Sequence, residues 1–244
     1  MIELKKVTKS YVSGKNAVDH LELTVKDGEI FGFLGPNGAG KTTTIKMLTG
    51  ILKPTEGKIL ISGKDIEKEA IEAKKNFGYV PDSPEMFLRL RGMEYLNFIA
   101  DMYDMDSRER KEIVEELAQK FEMQGNLNNK ISEYSHGMKQ KIFIMGVLMH
   151  QPKNWIMDEP MTGLDPKASH LLKELMREHA NKGSTVFFST HVLEVAEKIC
   201  DRIGIINNGK LITVGTVEEI KKQFCGNESL ENIFLEITEN EKNI

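Results

Sequence analysis

Residues 35–43 read Gly-Pro-Asn-Gly-Ala-Gly-Lys-Thr-Thr and meet the pattern GxxxxGK[ST] at every fixed position: Gly35, Gly40, Lys41 and Thr42. These residue types suit the holding of a polyphosphate. Glycines let backbone N–H groups approach phosphate oxygens where a Cβ would clash. A helix starting just after them adds partial positive charge. Lys41 supplies a full charge for the β and γ phosphates, and the Thr42 hydroxyl is a ligand for Mg²⁺. The whole run Gly35, Pro36, Asn37, Gly38, Ala39, Gly40, Lys41, Thr42 and Thr43 is therefore the expected nucleotide cradle.

Residues 155–166 form a second group, Trp-Ile-Met-Asp-Glu-Pro-Met-Thr-Gly-Leu-Asp-Pro. Asp158 and Glu159 close an apolar strand, where charge is costly unless a metal or a reaction uses it. Asp158 is placed to hold Mg²⁺ through its water shell, and Glu159 to polarise an attacking water. Alone, such a pair would more simply cap the next turn. Downstream of a phosphate loop it reads as chemistry.

Both groups need elements that aim them. The apolar run Ile30–Leu34 predicts a buried strand before the glycine loop, with a helix over about 41–50 that stops near Gly50 and Pro54. Alternation over residues 1–34 predicts two or three antiparallel strands, turning at Ser13-Gly14-Lys15-Asn16 and at Asp27-Gly28. Short strands follow at 58–61 and 77–80. Residues 82–150 are helical in pattern: one helix over about 92–104, one capped by Asp106 with Glu109 three residues on, a polar loop over 125–134, and a helix after Ser135. Strands then alternate with helices: strands at 155–157 and 185–189, and helices at about 166–181 and 192–199. A hairpin turning at Asn208-Gly209 joins strands 202–206 and 210–214. Thr216 and Glu219 form a capping box for a last helix.

The fold class is α/β: a P-loop core with a mainly parallel, helix-covered sheet, an N-terminal antiparallel part and an inserted helical subdomain. We expect one domain over 1–224, with 1–81 and 151–224 forming the core and 82–150 the helical insertion. A short tail follows at 225–244, its last four residues frayed.

A chain of 244 residues with 40% hydrophobic content can bury a large core. A net charge of −4 argues against a nucleic-acid partner. Cys200 and Cys225 lack metal-ligand spacing and read as reduced thiols. No leader is evident, and the longest apolar stretch, 142–149, is too short to span a bilayer. The chain is expected to be soluble, with any membrane role supplied through a partner.

Taken together, these segments resemble the ATP-binding subunit of an ATP-binding cassette (ABC) transporter, over residues 2 to about 224. The phosphate loop is Gly35–Thr43, the acidic motif Asp158-Glu159-Pro160, and Gly163-Leu164-Asp165-Pro166 matches the loop that crosses to a partner subunit. Ser189-Thr190-His191 matches the switch-histidine segment, which implies that His191 contacts the γ-phosphate and orients toward Glu159. Tyr11 stands where the family stacks an aromatic on adenine. The signature, usually Leu-Ser-Gly-Gly-Gln, reads Tyr134-Ser135-His136-Gly137-Met138. The resemblance implies that Ser135, His136, Gly137 and Met138 face the partner cassette's γ-phosphate, Ser135 also capping its own helix.

Asp82 departs from the family's glutamine, a Mg²⁺ ligand and hinge. Asp is a shorter, charged oxygen ligand able to approach the metal through water, and is expected to stay ionised only while Mg²⁺ is bound; a plain turn role between Pro81 and Pro84 is the alternative. Asn154 departs from an apolar position and is expected to shorten its strand.

The resemblance implies an ATPase that uses ATP and Mg²⁺ and works as a homodimer or heterodimer of cassettes. It would sit at the cytoplasmic side of the membrane, on a separate transmembrane permease. The tail Leu230-Glu231-Asn232-Ile233-Phe234-Leu235 resembles the end of multidrug, antibiotic-resistance and sodium exporter cassettes. A permease contact is expected around Pro81–Tyr95, where Met86, Phe87, Leu88, Leu90 and Met93 offer apolar surface or pack the subdomain. The other class is a non-transport cassette ATPase acting on a soluble assembly or a ribosome. One cassette per chain and no sustained heptads disfavour the two-cassette translation type and the coiled-coil DNA-repair type.

Overall fold

The computed structural model describes residues 1–12, 14–82, 87–224 and 229–239. Ser13, Pro84, Met86, Cys225 and the last four residues, singled out above, lie outside the described residues.

Three strands open the chain, β1 (Ile2–Val12), β2 (Lys15–Val25) and β3 (Ile30–Leu34), followed by α1 (Lys41–Leu48). Next come β4 (Glu56–Ile61), β5 (Lys64–Asp65), α2 (Ala70–Lys74) and β6 (Phe77–Val80). Three helices follow, α3 (Gly92–Met102), α4 (Ser107–Lys120) and α5 (His136–Met149). The chain then alternates through β7 (Asn154–Asp158), α6 (Pro166–Asn181), β8 (Thr185–Thr190) and α7 (Leu193–Ile199). It closes with β9 (Arg202–Asn207), β10 (Lys210–Gly215), α8 (Val217–Gln223) and α9 (Leu230–Glu239).

The main sheet has the order β10-β9-β3-β8-β7-β6. Strands β6, β7, β8, β3 and β9 run parallel, and only β10 turns back, through Asn208 and Gly209, both at positive φ. Every residue of β3, β7 and β8 is buried, as a sheet covered on both faces requires. The register sets Leu34 beside Thr190 and Asp158 beside Ser189. Parallel pairing thus delivers the chain after β3, β7, β8 and β6 to one edge of the sheet, outside the carboxyl ends of the strands, where ligands bind in such folds. A second, antiparallel sheet, β2-β1-β4-β5, packs over α1 through Ile2, Leu4, Val18, Leu23 and Ile59.

The apolar stretch 142–149 is the body of α5, buried nearly all round. Such a helix must lie inside the protein rather than on its surface. It is clasped by α3, α4 and the back of the sheet, with Leu96, Ala100, Val114, Leu117, Phe121 and Trp155 in one cluster. No helix among the described residues is long and apolar enough to cross a membrane.

Three expectations need correction. Asn154 does not shorten its strand: it is fully buried at the start of β7, where its amide donates to Ser62 Oγ at 3.0 Å and to the Asn76 carbonyl at 2.8 Å. Those bonds remove the desolvation cost that made a polar residue look out of place. The strand at 58–61 begins two residues earlier, at Glu56. The polar loop 125–134 carries buried Leu127, Ile131 and Tyr134 and a short 3₁₀ turn at Ile131–Glu133. Beyond residue 224 the chain forms α9, whose Leu230, Ile233 and Ile237 bury against Leu34, Ala196, Ile203 and Ile205. Asn207 Nδ2 donates to the Ile237 carbonyl at 3.1 Å, tying α9 to β9.

Candidate functional site

The glycine loop enters α1 through Gly40, the residue before the helix, at φ 109°, with no side-chain cap. A Cβ at Gly40 would stand 2.6 Å from the Ala17 carbonyl oxygen, so space and backbone angle both demand glycine. With no side chain satisfying them, the first N–H groups of α1 are left for a ligand. The loop is held from behind, where the Gly209 N–H donates to the Ala39 carbonyl at 2.9 Å.

Lys41 is 7% exposed. Its Nζ donates to the Gly35 carbonyl at 2.6 Å and lies 3.4 Å from the Pro36 carbonyl oxygen and 3.6 Å from Glu159 Oε1. A cavity of about 220 Å³ opens here, lined by Pro36, Asn37, Gly38, Thr42, Thr43, Asp82 and Glu159 among others. A neighbouring hollow of about 280 Å³ shares Ala17 and Gly38 with it and carries Tyr11, Lys15 and Asn16. Tyr11 is 59% exposed, with Lys9 Nζ 5.6 Å from its ring centre, so its ring is free of the core.

The acids stand where β7 ends. Asp158 is 1% exposed and accepts from the Ser189 hydroxyl at 2.6 Å. The same Ser189 Oγ accepts from the Glu159 N–H at 3.0 Å, so one hydroxyl on β8 fixes both acids. Glu159 has φ +49°, a strained value for a non-glycine residue. Its carboxylate is braced on two sides: Oε1 faces Lys41, and Oε2 lies 3.0 Å from His191 Nδ1. The structure therefore brings Lys41, Glu159 and His191 together at the mouth of the cavity, with Thr42 and Asp82 lining it and Asp158 one layer behind.

Asp82 is half-buried just after β6. Burial raises the pKa of the nearby Tyr79 phenol, and the negative charges of Asp158 and Asp82 raise it further. Among the described residues no three His, Cys, Asp or Glu side chains cluster closely enough to hold a metal by themselves.

The segment 134–138 forms the entrance to α5. Ser135 is the cap, its Oγ accepting from the Met138 N–H at 3.3 Å. Tyr134 is an anchor, buried, with its hydroxyl donating to the Asn126 carbonyl at 2.7 Å. The hidden side of this helix end is fastened to the loop that follows Glu159. Gln140 Nε2 donates to the Pro160 carbonyl at 3.3 Å, and Lys141 pairs with Asp165 at 2.7 Å. Lys141, and then the Ala168 N–H at 2.8 Å, hold the Asp165 pKa below the usual carboxylate value while Asp165 caps α6. Gly163, at φ +78°, has the His136 ring laid over it, so any Cβ there would collide with the imidazole. A Cβ at Gly137 would in turn stand 2.5 Å from the Gly163 carbonyl oxygen. Ser135 and His136 remain exposed.

Comparison with known proteins agrees with this geometry. A family model described as ABC transporter matches residues 18–162. The linearmycin resistance ATP-binding protein LnrL of Bacillus subtilis is 36% identical over 226 residues, 93% of this chain and 72% of its own. A solved structure of an ATP-binding subunit of an ABC transporter superposes with TM-score 0.91 at 33% identity, covering 97% of this chain and 99% of the other. The dimeric, post-hydrolysis state of an ATP-binding cassette bound to ADP and Pi superposes with TM-score 0.80 at 26% identity, covering 89% and 99%. The chain belongs to the ABC transporter family.

As an ATP-binding cassette it carries contacts that residue patterns did not reveal. Ser189 was legible only as part of Ser189-Thr190-His191, not as the bridge between the two acids. Gln140 and Lys141 were not singled out, because their partners Pro160 and Asp165 are 20 and more residues away. Phe87, Leu88, Leu90 and Met93 are partly buried against the helical cluster, and the Phe87 ring lies within 5.6 Å of both Tyr95 and Phe98. They pack the cassette. The more open apolar surface lies beside them, in a hollow of about 260 Å³ between β6, α3 and α5 where Ile51 and Met102 are exposed.

Proposed function

We propose that this cassette hydrolyses ATP to drive a separate transmembrane permease that exports its substrate. The observation that carries the hydrolytic part is the bracing of Glu159, 3.6 Å from Lys41 and 3.0 Å from His191 at the cradle's mouth. Lys41 now spends its charge on two loop carbonyls and Glu159, all replaceable by β- and γ-phosphate oxygens. Glu159, relieved of Lys41, is left to take the proton of an attacking water, and His191 holds its other oxygen in line. The backbone N–H groups from Gly38 to Thr43 receive phosphate oxygens, and Tyr11 lies where a base would stack.

Thr42 and Asp82 are hard oxygen donors lining one cavity, with Asp158 one layer behind it, and together they are too few to cage a metal alone. That suits Mg²⁺, which keeps waters and shares phosphate oxygens. When bound, it would neutralise charge on the β- and γ-phosphate oxygens.

The exposed cap Ser135, with His136, Gly137 and Met138, is the surface a second cassette would meet. The dimeric structure of the ADP- and Pi-bound relative supports this, and a like or a sister cassette would serve. The hollow beside Ile51 and Met102 suits a short amphipathic helix of a permease. Seated there, the cassette would lie peripherally at the cytoplasmic face of the membrane. Outward transport is favoured by the linearmycin resistance relative.

The test is to tag the chain in its own cell, solubilise membranes in mild detergent and identify what co-purifies. A stoichiometric multi-span membrane protein is expected. Recovery with ribosomes or soluble assembly proteins alone would overturn the transport reading while leaving the ATP site standing.

A further inference from the structure

We propose that Asp82 makes nucleotide binding by this cassette conditional on a divalent cation, acting as a charge gate against the metal-free nucleotide. The proposal rests on the reading of the 220 Å³ cavity as the nucleotide site.

The argument is one of charge balance. Among the described residues three ionisable side chains line that cavity: Lys41, Asp82 and Glu159. Glu159 is matched by Lys41 on one oxygen and by His191 on the other. Asp158, behind the cavity, is satisfied by the Ser189 hydroxyl. Asp82 makes no hydrogen bond or ion pair with any described residue. It is half-buried, so solvent screens it incompletely. Among its described lining residues the cavity thus presents two carboxylates to one lysine before any ligand arrives; the gate takes Asp82 as charged with or without Mg²⁺, in place of the expectation that it is ionised only beside the metal.

A triphosphate entering without a metal brings several negative charges toward an unmatched carboxylate. Among the described residues Lys41 is the only cationic side chain lining the cavity, and it serves the phosphates and Glu159 together. At a separation of a few ångströms in a partly desolvated cleft, one extra like charge weighs on affinity by a factor of ten or more, on the order of Coulomb's law at intermediate dielectric. A divalent cation reverses the sign, because the same carboxylate then faces a positive centre. A neutral side chain would give weaker discrimination between the two forms. Asp82 therefore acts as a specificity residue for the metal–nucleotide complex.

The experiment is equilibrium dialysis of ATP with the full chain, once in excess Mg²⁺ and once in excess EDTA, reading the ratio of the two Kd values. Asp82→Asn keeps shape and removes charge; Asp82→Glu keeps charge. The expected result is that Asp82→Asn lowers the ratio by about tenfold, chiefly by tightening binding in EDTA, while Asp82→Glu keeps a ratio near that of the unaltered chain. Equal ratios in all three proteins would overturn the gate and leave the nucleotide site intact. Failure of the unaltered chain to bind ATP in either condition would overturn the site reading itself. Thermal unfolding of each variant verifies that it is folded when dialysed.

Discussion

Two helix entrances in this cassette, both given a part in the proposed chemistry, are built in opposite ways. At residues 35–43 the entrance to α1 is made of backbone: a left-handed Gly40, no side-chain cap, and a lysine folded onto its own loop. At residues 134–141 the entrance to α5 is capped by its own Ser135, with Tyr134 buried beneath it and Gln140 and Lys141 fastened to the loop behind Glu159. The first leaves N–H groups unsatisfied inside a cavity of its own chain. The second satisfies its helix and turns Ser135 and His136 to the outside. A complete phosphate cradle can be built from one chain. A surface with exposed polar groups and a rigid back is what the proposed pairing with a second cassette would use.

The widest break in that contrast comes from Lys41→Ala. The cradle should lose at least about 100-fold in ATP affinity or turnover, since the main counter-charge to the phosphates is gone. Direct ATP binding checks this, and a variant of full affinity would remove Lys41 from the site. Next in size is Glu159→Gln, which keeps the shape and removes the base. Hydrolysis should fall by roughly 10²- to 10⁴-fold while ATP stays bound. If the α5 entrance is completed by a second cassette, the trapped nucleotide should hold two chains together. Sizing chromatography with ATP should show a species of doubled mass, and only monomer would sink the two-cassette reading.

The cradle was readable in the sequence because its chemistry is contiguous: nine residues carry the turn, the charge and the hydroxyl. The acidic pair was readable because it closes an apolar strand, whereas His191 was readable only through the family resemblance; parallel pairing delivers both to one edge of the sheet. What escaped was whatever depends on distant partners. Asn154 looked misplaced until Asn76 and Ser62, 78 and 92 residues away, supplied its hydrogen bonds. Ser189 reaches Asp158 across 31 residues. The tail helix α9 has an apolar face, but only the folded surface of β9 and α7 shows what buries it. β5 and α2 are two and five residues long, too short for periodicity to register.

The smallest predicted effect tests the contrast most finely, because Ser135 has two roles that a single change can separate. As a cap it accepts one 3.3 Å bond from the Met138 N–H. Its loss in Ser135→Ala should cost about 1 kcal/mol or less of stability, measured by denaturant unfolding. Aspartate caps as well as serine, so Ser135→Asp should leave stability close to that of the unaltered chain. In a two-cassette complex the same carboxylate would face the partner's γ-phosphate, where like charge repels. Placed on the Glu159→Gln background, Ser135→Asp should therefore abolish ATP-dependent pairing, whereas Ser135→Ala should only weaken it. Equal pairing by both variants would reduce Ser135 to a helix cap. The α5 entrance would then be an element of this chain's own packing, as the α1 entrance is of its own cradle.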